Sequence, residues 1–162
     1  MKDFDSNLQY AINKYTPFEL RISPYTKLKF VQVPDVQANK RLLAQLPRKE
    51  YDVVLPSNKP AAKVIEWAIR DKVEIGGSVS SASQLRKGQL MSRGLPKDAD
   101  LIFDNSKQAY LRALKDGLEL EKFYGKDQFS FQVNNKGHMS QMEYKFRGKN
   151  EHMDYVTRED GP

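Results

Sequence analysis

Residues 100–125 read DLIFDNSKQAYLRALKDGLELEKFYG and decide the fold of the second half of the chain. Asp100–Phe103 is a short apolar run of strand length, and Asn105 and Ser106 then supply an N-cap. Behind the cap, apolar residues recur at helical spacing, namely Ala109, Tyr110, Ala113, Leu114, Leu118 and Phe123. The stretch therefore predicts a strand followed by a long amphipathic helix.

A β-hairpin is predicted directly after this helix. Phe129–Val133 and Met139–Phe146 flank the turn sequence Asn134-Asn135-Lys136-Gly137. Aromatic residues alternate along the two strands, namely Phe129, Phe131, Tyr144 and Phe146. Alternation of this kind is typical of a buried face, so we predict core packing, with base stacking by exposed rings as the alternative. Residues 148–162 are polar and predict a flexible C-terminal tail, to which His152–Val156 could add a short edge strand.

Upstream of residue 100, the chain also alternates between strand and helix. A short buried strand at Asp52–Leu55 precedes a helix over residues 61–71, and Val73–Ile75 precedes a polar helix over 80–93. This order favours central parallel βα units.

The first fifty residues predict a helix over residues 4–15, a hairpin of Phe18–Ile22 and Leu28–Val33, and a short helix over 36–46. The fold class is therefore α/β or α+β, in a single domain over residues 1–147. It has an N-terminal helix and β-hairpin, central βα units and a C-terminal β-hairpin.

Composition excludes several classes of protein. The 162 residues contain no cysteine, so no disulfide framework, thiol nucleophile or iron–sulfur cluster is available. The longest apolar runs are too short for a transmembrane helix or a secretory signal. We expect a cytoplasmic protein that has no membrane partner, no cofactor and no metal centre.

The positive charge is concentrated in two segments. Between residues 20 and 49 there are seven cations and one acid, so this segment carries 7 − 1 = +6, which equals the net charge of the chain. Residues 75–97 contain four cations and no acid. A basic excess in defined segments is what binding to a phosphate backbone requires. We predict non-catalytic binding of nucleic acid, DNA or RNA, through segments 21–49 and 80–93.

Two kinds of residue are the candidate phosphate contacts. Gly76, Gly77 and Ser78 open the second segment with close-approaching amides and a hydroxyl. Long polar side chains supply the charge and base contacts, namely Lys27, Lys29, Lys40, Arg41, Arg48, Lys49, Gln84, Arg86, Lys87 and Arg93.

Catalytic signals are weak. His138 and His152 lie beside a turn and in the predicted tail, and we expect them to be surface residues without a catalytic role. Asp52, Asp100 and Asp104 follow or begin predicted strands, where carboxylates can hold Mg²⁺. The alternatives to nucleic-acid binding are therefore a small protein that docks on another protein, and a magnesium-dependent nuclease or nucleotide-processing enzyme. None of these patterns identifies a protein family.

Overall fold

The structure of the protein is a computed structural model that describes residues 18–32, 44–45, 52–83, 90–91 and 97–158. Its strands are β1 (Phe18–Ser23), β2 (Thr26–Gln32), β3 (Ala44–Gln45), β4 (Val53–Leu55), β5 (Glu74–Ile75), β6 (Leu90–Met91), β7 (Asp100–Phe103), β8 (Phe129–Asn135), β9 (Met139–Phe146) and β10 (Lys149–Thr157). Its helices are α1 (Lys59–Arg70), α2 (Gly77–Ser83) and α3 (Ser106–Tyr124). The predicted mixed α and β class is confirmed. None of these helices has the length and apolar composition needed to cross a membrane.

The chain divides into two compact units. The first comprises residues 1–62 and 77–97, and the second comprises 63–76 and 98–162. The prediction of one domain over residues 1–147 stays a prediction.

The first unit contains a three-stranded sheet in the order β1-β2-β4. β1 and β2 form the predicted N-terminal hairpin, and β4 adds to β2 in parallel. Phe30, Val31, Val54 and Leu55 are buried in its core, and the Phe18 ring stacks on Phe30 at 5.8 Å between centroids. Phe30 and Val31 are consecutive, as are Val54 and Leu55, so this end of the sheet is buried on both faces rather than on one alternating face.

α2 completes the hydrogen bonding of β4 at the edge of this sheet. The Val54 amide donates to Ser83 Oγ at 3.0 Å, and the Ser83 hydroxyl donates to the Val79 carbonyl at 2.7 Å. A strand-edge amide that lacks a strand partner is satisfied in this way by a helix side chain.

Two predicted helices are wrong at the residues that form short strands. Ala44–Gln45 and Leu90–Met91 pair with each other as the antiparallel strands β3 and β6. Residues 80–83 of the polar helix predicted over 80–93 are helical, as the end of the helix Gly77–Ser83, whereas Leu90–Met91 is a strand. Pairing between segments distant in sequence has overridden the weak helical patterns. The predicted helix over 4–15 and the rest of 36–46 lie outside the described residues, as do 84–89 and 92–93.

The second unit is built on a five-stranded sheet in the order β5-β7-β10-β9-β8. β10 is parallel to β7, and the other neighbours are antiparallel. The flexible tail predicted over 148–162 is therefore wrong for Lys149–Thr157, which lies inside the sheet. Met153 and Tyr155 are fully buried. The polar composition of residues 149–157 does not indicate a tail, because a strand that is covered on one face has polar side chains on the other.

The predicted central alternation of strand and helix is present, but the predicted parallel pairing of its strands is wrong. β4 and β7 lie in different sheets, and β5 pairs antiparallel with β7. The parallel neighbour of β7 is β10, which follows the predicted C-terminal hairpin of β8 and β9. Arg158 fixes the end of β10, since its amide donates to the Phe103 carbonyl at 3.0 Å and its guanidinium pairs with Asp104 and Glu74.

α3 packs on one face of the five-stranded sheet. Asn105 caps the helix, and its side chain accepts a hydrogen bond from the Gln108 amide at 2.9 Å. Phe129 and Tyr144 are buried and stack at 5.5 Å, so core packing of these two rings is confirmed.

Gly117 of α3 is required by this packing. A Cβ atom at residue 117 would lie 2.7 Å from Phe131 Cζ and closer still to two other ring carbons. Phe131 therefore packs directly on the helix backbone, which explains a glycine in the middle of a helix.

We expect Gly117→Ala to lower the free energy of unfolding by about 1–3 kcal/mol because the methyl group overpacks the contact with Phe131. At an exposed helix position, replacing glycine by alanine would instead raise the free energy of unfolding by about 1 kcal/mol. The sign of the change therefore shows whether residue 117 is packed against Phe131. Urea unfolding followed by the fluorescence of Trp67 measures the effect, and Phe131→Leu in the same chain should restore most of the loss. A stability equal to or above that of the wild type would contradict the proposed packing.

Candidate functional site

The described candidates of the first basic segment lie on one face of the β1–β2 hairpin. Arg21 is directly opposite Lys27, and Lys29 lies two residues further along on the same face. All three are exposed, and Glu19 is opposite Lys29. We call the set Arg21, Lys27, Lys29 and Glu19 the hairpin face, which carries 3 − 1 = +2.

The hairpin face is held by bonds at both of its ends. The Arg21 guanidinium donates to the Pro24 carbonyl in the turn at 2.9 Å. At the β4 end, the Lys29 amide donates to Asp52 Oδ2 at 2.8 Å, and the Asp52 amide donates to the Lys29 carbonyl at 2.6 Å. The backbone under the lysines is therefore fixed, while the ammonium groups extend from an exposed surface.

The glycine candidates are placed less favourably for phosphate. The Gly76 amide donates to the Asp100 carbonyl at 3.0 Å, so it is used by the sheet and not available to a ligand. Gly77 and Ser78 begin the short helix α2, Gly77 exposed and Ser78 half-buried. The other candidates lie outside the described residues, namely Lys40, Arg41, Arg48, Lys49, Gln84, Arg86, Lys87 and Arg93. The structure thus brings together Lys27 and Lys29, with Arg21 added.

The carboxylates considered for magnesium do not converge within the second unit. Asp100 begins β7 and Asp104 follows its last residue, so four residues of strand, about 13 Å, separate them. Asp104 is paired with Arg158 at 3.0 Å. Asp52 belongs to the first unit, where it accepts the bond from Lys29. In the described part of the chain, no group of three His, Asp or Glu side chains is arranged to hold a metal ion.

A second arrangement of polar side chains lies on the sheet of the second unit, on the face opposite α3. There a cavity of about 520 Å³ is bordered by side chains that alternate along β8, β9 and β10. We call this set the polar face: Ser130, Gln132, Gln141, Glu143, Lys145, Asn150 and His152. Phe131, Tyr144 and Glu151 also border the cavity, although strand alternation turns their side chains to the other face.

The register orders the polar face into rows that run across the strands. The central row is Gln132, Glu143 and His152, and Gln132 Nε2 donates to Glu143 Oε2 at 2.8 Å. Directly opposite residues have Cβ atoms about 4.5–5.5 Å apart, so Glu143 lies between the amide and the imidazole. The next row, two residues along each strand, is Ser130, Lys145 and Asn150.

Acidic side chains follow on the other side of the central row. Asp154 is directly opposite Asp100, and Gln141 Nε2 donates to Asp154 Oδ1 at 3.0 Å. Burial, together with the negative charges of Asp154 and Asp98, raises the pKa of Asp100. The sheet surface is therefore negative at Asp100 and Asp154 and positive at Lys145.

Local sequence patterns do not predict this arrangement, because the polar composition of residues 148–162 is typical of a tail. The signal that could have found it is the alternation of Glu151, Met153 and Tyr155, which turns His152 and Asp154 to the opposite face. Even so, the pairing of His152 with Glu143 depends on the register, which sequence spacing does not define.

A buried ionic network lies under the other face of the same sheet. Asp116 of α3 is fully buried, accepts a hydrogen bond from the Tyr155 hydroxyl at 2.8 Å and pairs with Arg112 Nε at 3.0 Å. Arg112 also donates to Asp71 at 2.8 Å. Burial raises the pKa of Asp116 to about 6 despite these partners, whereas hydrogen bonds from Arg70 and Arg112 lower the pKa of Asp71 to about 2.

Comparison of the chain with protein-family models, with curated proteins and with solved structures gives no match.

We expect Asp116→Asn to change how stability depends on pH. Folding raises the pKa of Asp116 from 3.8 to about 6. Protonation of Asp116 therefore contributes fully to the free energy of unfolding below pH 3.8, and this contribution is lost as the pH rises through about 6. The asparagine does not titrate. The unfolding free energy of the wild type relative to the variant should therefore fall between pH 4 and pH 7.

Urea unfolding of both proteins across this pH range measures the difference, and Asp127→Asn, which alters an exposed carboxylate, is the control. A difference that stays constant or rises with pH would contradict the raised pKa of Asp116.

Proposed function

We propose that this protein binds nucleic acid through its phosphate backbone, and that the hairpin face is part of the binding surface. The observation that carries the proposal is the pairing of Arg21 with Lys27 directly across the hairpin. Like charges in this position destabilise a sheet. A polyanion bound over the hairpin face would offset that repulsion and would release counterions from its phosphates.

Two further observations support the proposal. Lys29 extends the cationic pair along β2, and the backbone hydrogen bonds with Asp52 hold its position before any ligand arrives. The chain as a whole carries +6, with the excess in the segment that contains the hairpin. The remaining basic candidates of segments 21–49 and 80–93 stay predictions, and a cytoplasmic location is part of the proposal.

Replacing Lys27 and Lys29 together by Gln should weaken binding to a labelled DNA duplex and flatten its dependence on salt. If each lysine neutralises one phosphate, the slope of log K against log salt should fall in magnitude by about 1.8. Fluorescence anisotropy at several salt concentrations, with duplex DNA, single-stranded DNA and 2′-O-methyl RNA, measures the slope and compares the three ligands.

The matched control replaces Lys122 and Lys126 of the second unit by Gln, which removes the same charge from exposed positions. This control should leave the slope close to that of the wild type. Equal effects of the two double variants would remove the hairpin face from the interface. A wild-type protein that binds none of the three ligands at low salt would overturn the proposal and would favour docking on a protein partner.

A further inference from the structure

The polar face places a carboxylate, an imidazole and an ammonium group around one cavity. Glu143 and His152 are directly opposite each other on β9 and β10, and Lys145 lies two residues from Glu143 on the same face. Gln132 occupies one oxygen of Glu143 through its side-chain amide. The carboxylate is thus oriented by Gln132 on one side and faces the histidine on the other.

These three groups are the components of general acid–base catalysis on a phosphate ester. A carboxylate can accept a proton, an imidazolium can donate one, and an ammonium can stabilise negative charge that develops on phosphate oxygens. The sequence has no cysteine to act as a thiol nucleophile, and Ser130 supplies the one hydroxyl on the polar face. The simplest chemistry for this cavity uses a nucleophile that the substrate itself carries.

The charge distribution indicates where a phosphate would bind. Asp100 and Asp154 make one side of the central row negative, whereas Lys145, Asn150 and Ser130 form a row of donors on the other side. A phosphodiester is therefore expected over Lys145 and beside the Glu143 and His152 pair. Polar side chains border the cavity on this face, which suits the ribose and phosphate of a nucleotide chain.

We propose that the polar face is a metal-independent ribonuclease site, an inference that rests on the proposed binding of nucleic acid and names RNA as its substrate. Glu143 accepts the proton of a ribose 2′-hydroxyl while the 2′ oxygen forms a bond to the adjacent phosphorus. The bond from phosphorus to the 5′ oxygen breaks, and the His152 imidazolium donates its proton to that leaving oxygen. Lys145 stabilises the charge on the non-bridging oxygens. The products are a 2′,3′-cyclic phosphate and a 5′-hydroxyl, so atoms and protons balance without a co-reactant.

The test incubates the full chain with a fluorescently labelled single-stranded RNA in the presence of EDTA, and identifies the products by mass spectrometry. We expect cleavage that yields 2′,3′-cyclic phosphate ends, and no cleavage of the matching DNA or 2′-O-methyl RNA. Glu143→Gln and His152→Ala should each lower the cleavage rate by about 100-fold or more, as expected for loss of a general base or acid.

Two variants serve as controls. His138→Ala removes the other histidine of the chain, which lies in the exposed turn between β8 and β9, and should cleave at the wild-type rate. Asp127→Asn, which alters an exposed carboxylate outside the polar face, should also cleave at the wild-type rate. Circular dichroism of each purified variant confirms that it is folded.

The proposal is overturned if the wild type does not cleave RNA, if Glu143→Gln and His152→Ala cleave at the wild-type rate, or if DNA is cleaved equally well. Binding of 2′-O-methyl RNA, measured in the same buffer, tests the binding function of the hairpin face independently of RNA cleavage. Binding without cleavage would contradict the ribonuclease site and leave the binding function intact. Cleavage that is unchanged when Lys27 and Lys29 are replaced, together with no loss of binding, would contradict the hairpin face alone.

Discussion

The packing of α3 on one face of the five-stranded sheet is the contact on which the second unit depends. Phe131 lies against the helix backbone at Gly117, and the Tyr155 hydroxyl reaches Asp116 one residue earlier. These contacts fix which face of β8, β9 and β10 is buried. Because side chains alternate along a strand, burial of Tyr155 and Met153 commits His152 to the opposite face. The same strand register therefore determines both which side chains form the hydrophobic core and which side chains border the polar cavity.

The packing of α3 on the sheet buries the carboxylate of Asp116. A carboxylate buried under a sheet is unfavourable unless it is paired, and Arg112 and Tyr155 supply the partners. Arg112 also donates a hydrogen bond to Asp71, the residue that follows α1, so the network joins α3 both to the sheet and to the end of another helix. The Tyr155 hydroxyl satisfies Asp116 Oδ2, whereas Asp116 Oδ1 and Arg112 Nε form an ion pair without a hydrogen bond. A different position of α3 on the sheet would break both contacts.

The sequence predicted the parts of the fold that local patterns encode. The long helix, its Asn105 cap and both hairpins have strong periodicity or turn chemistry, and the structure confirms them. The two-residue strands β3 and β6 and the central position of β10 come from pairing between distant segments, which local propensity does not report. The same difference between local patterns and distant pairing decides which residues of the two candidate sites the sequence predicts. Lys27 and Lys29 alternate within one hairpin and were predicted, whereas His152 and Glu143 meet through a register between strands whose pairing was not predicted.

The strand that decides the polar face is β10, because burial of Met153 and Tyr155 turns His152 to the opposite side of the sheet. Amide hydrogen exchange, followed residue by residue by NMR, tests its placement most directly. We expect amides in the middle of β10, such as those of Met153 and Tyr155, to exchange among the slowest in the chain, because strands flank β10 on both sides. Exchange of residues 149–157 as fast as that of an unfolded peptide would contradict the register, and with it the pairing of His152 with Glu143.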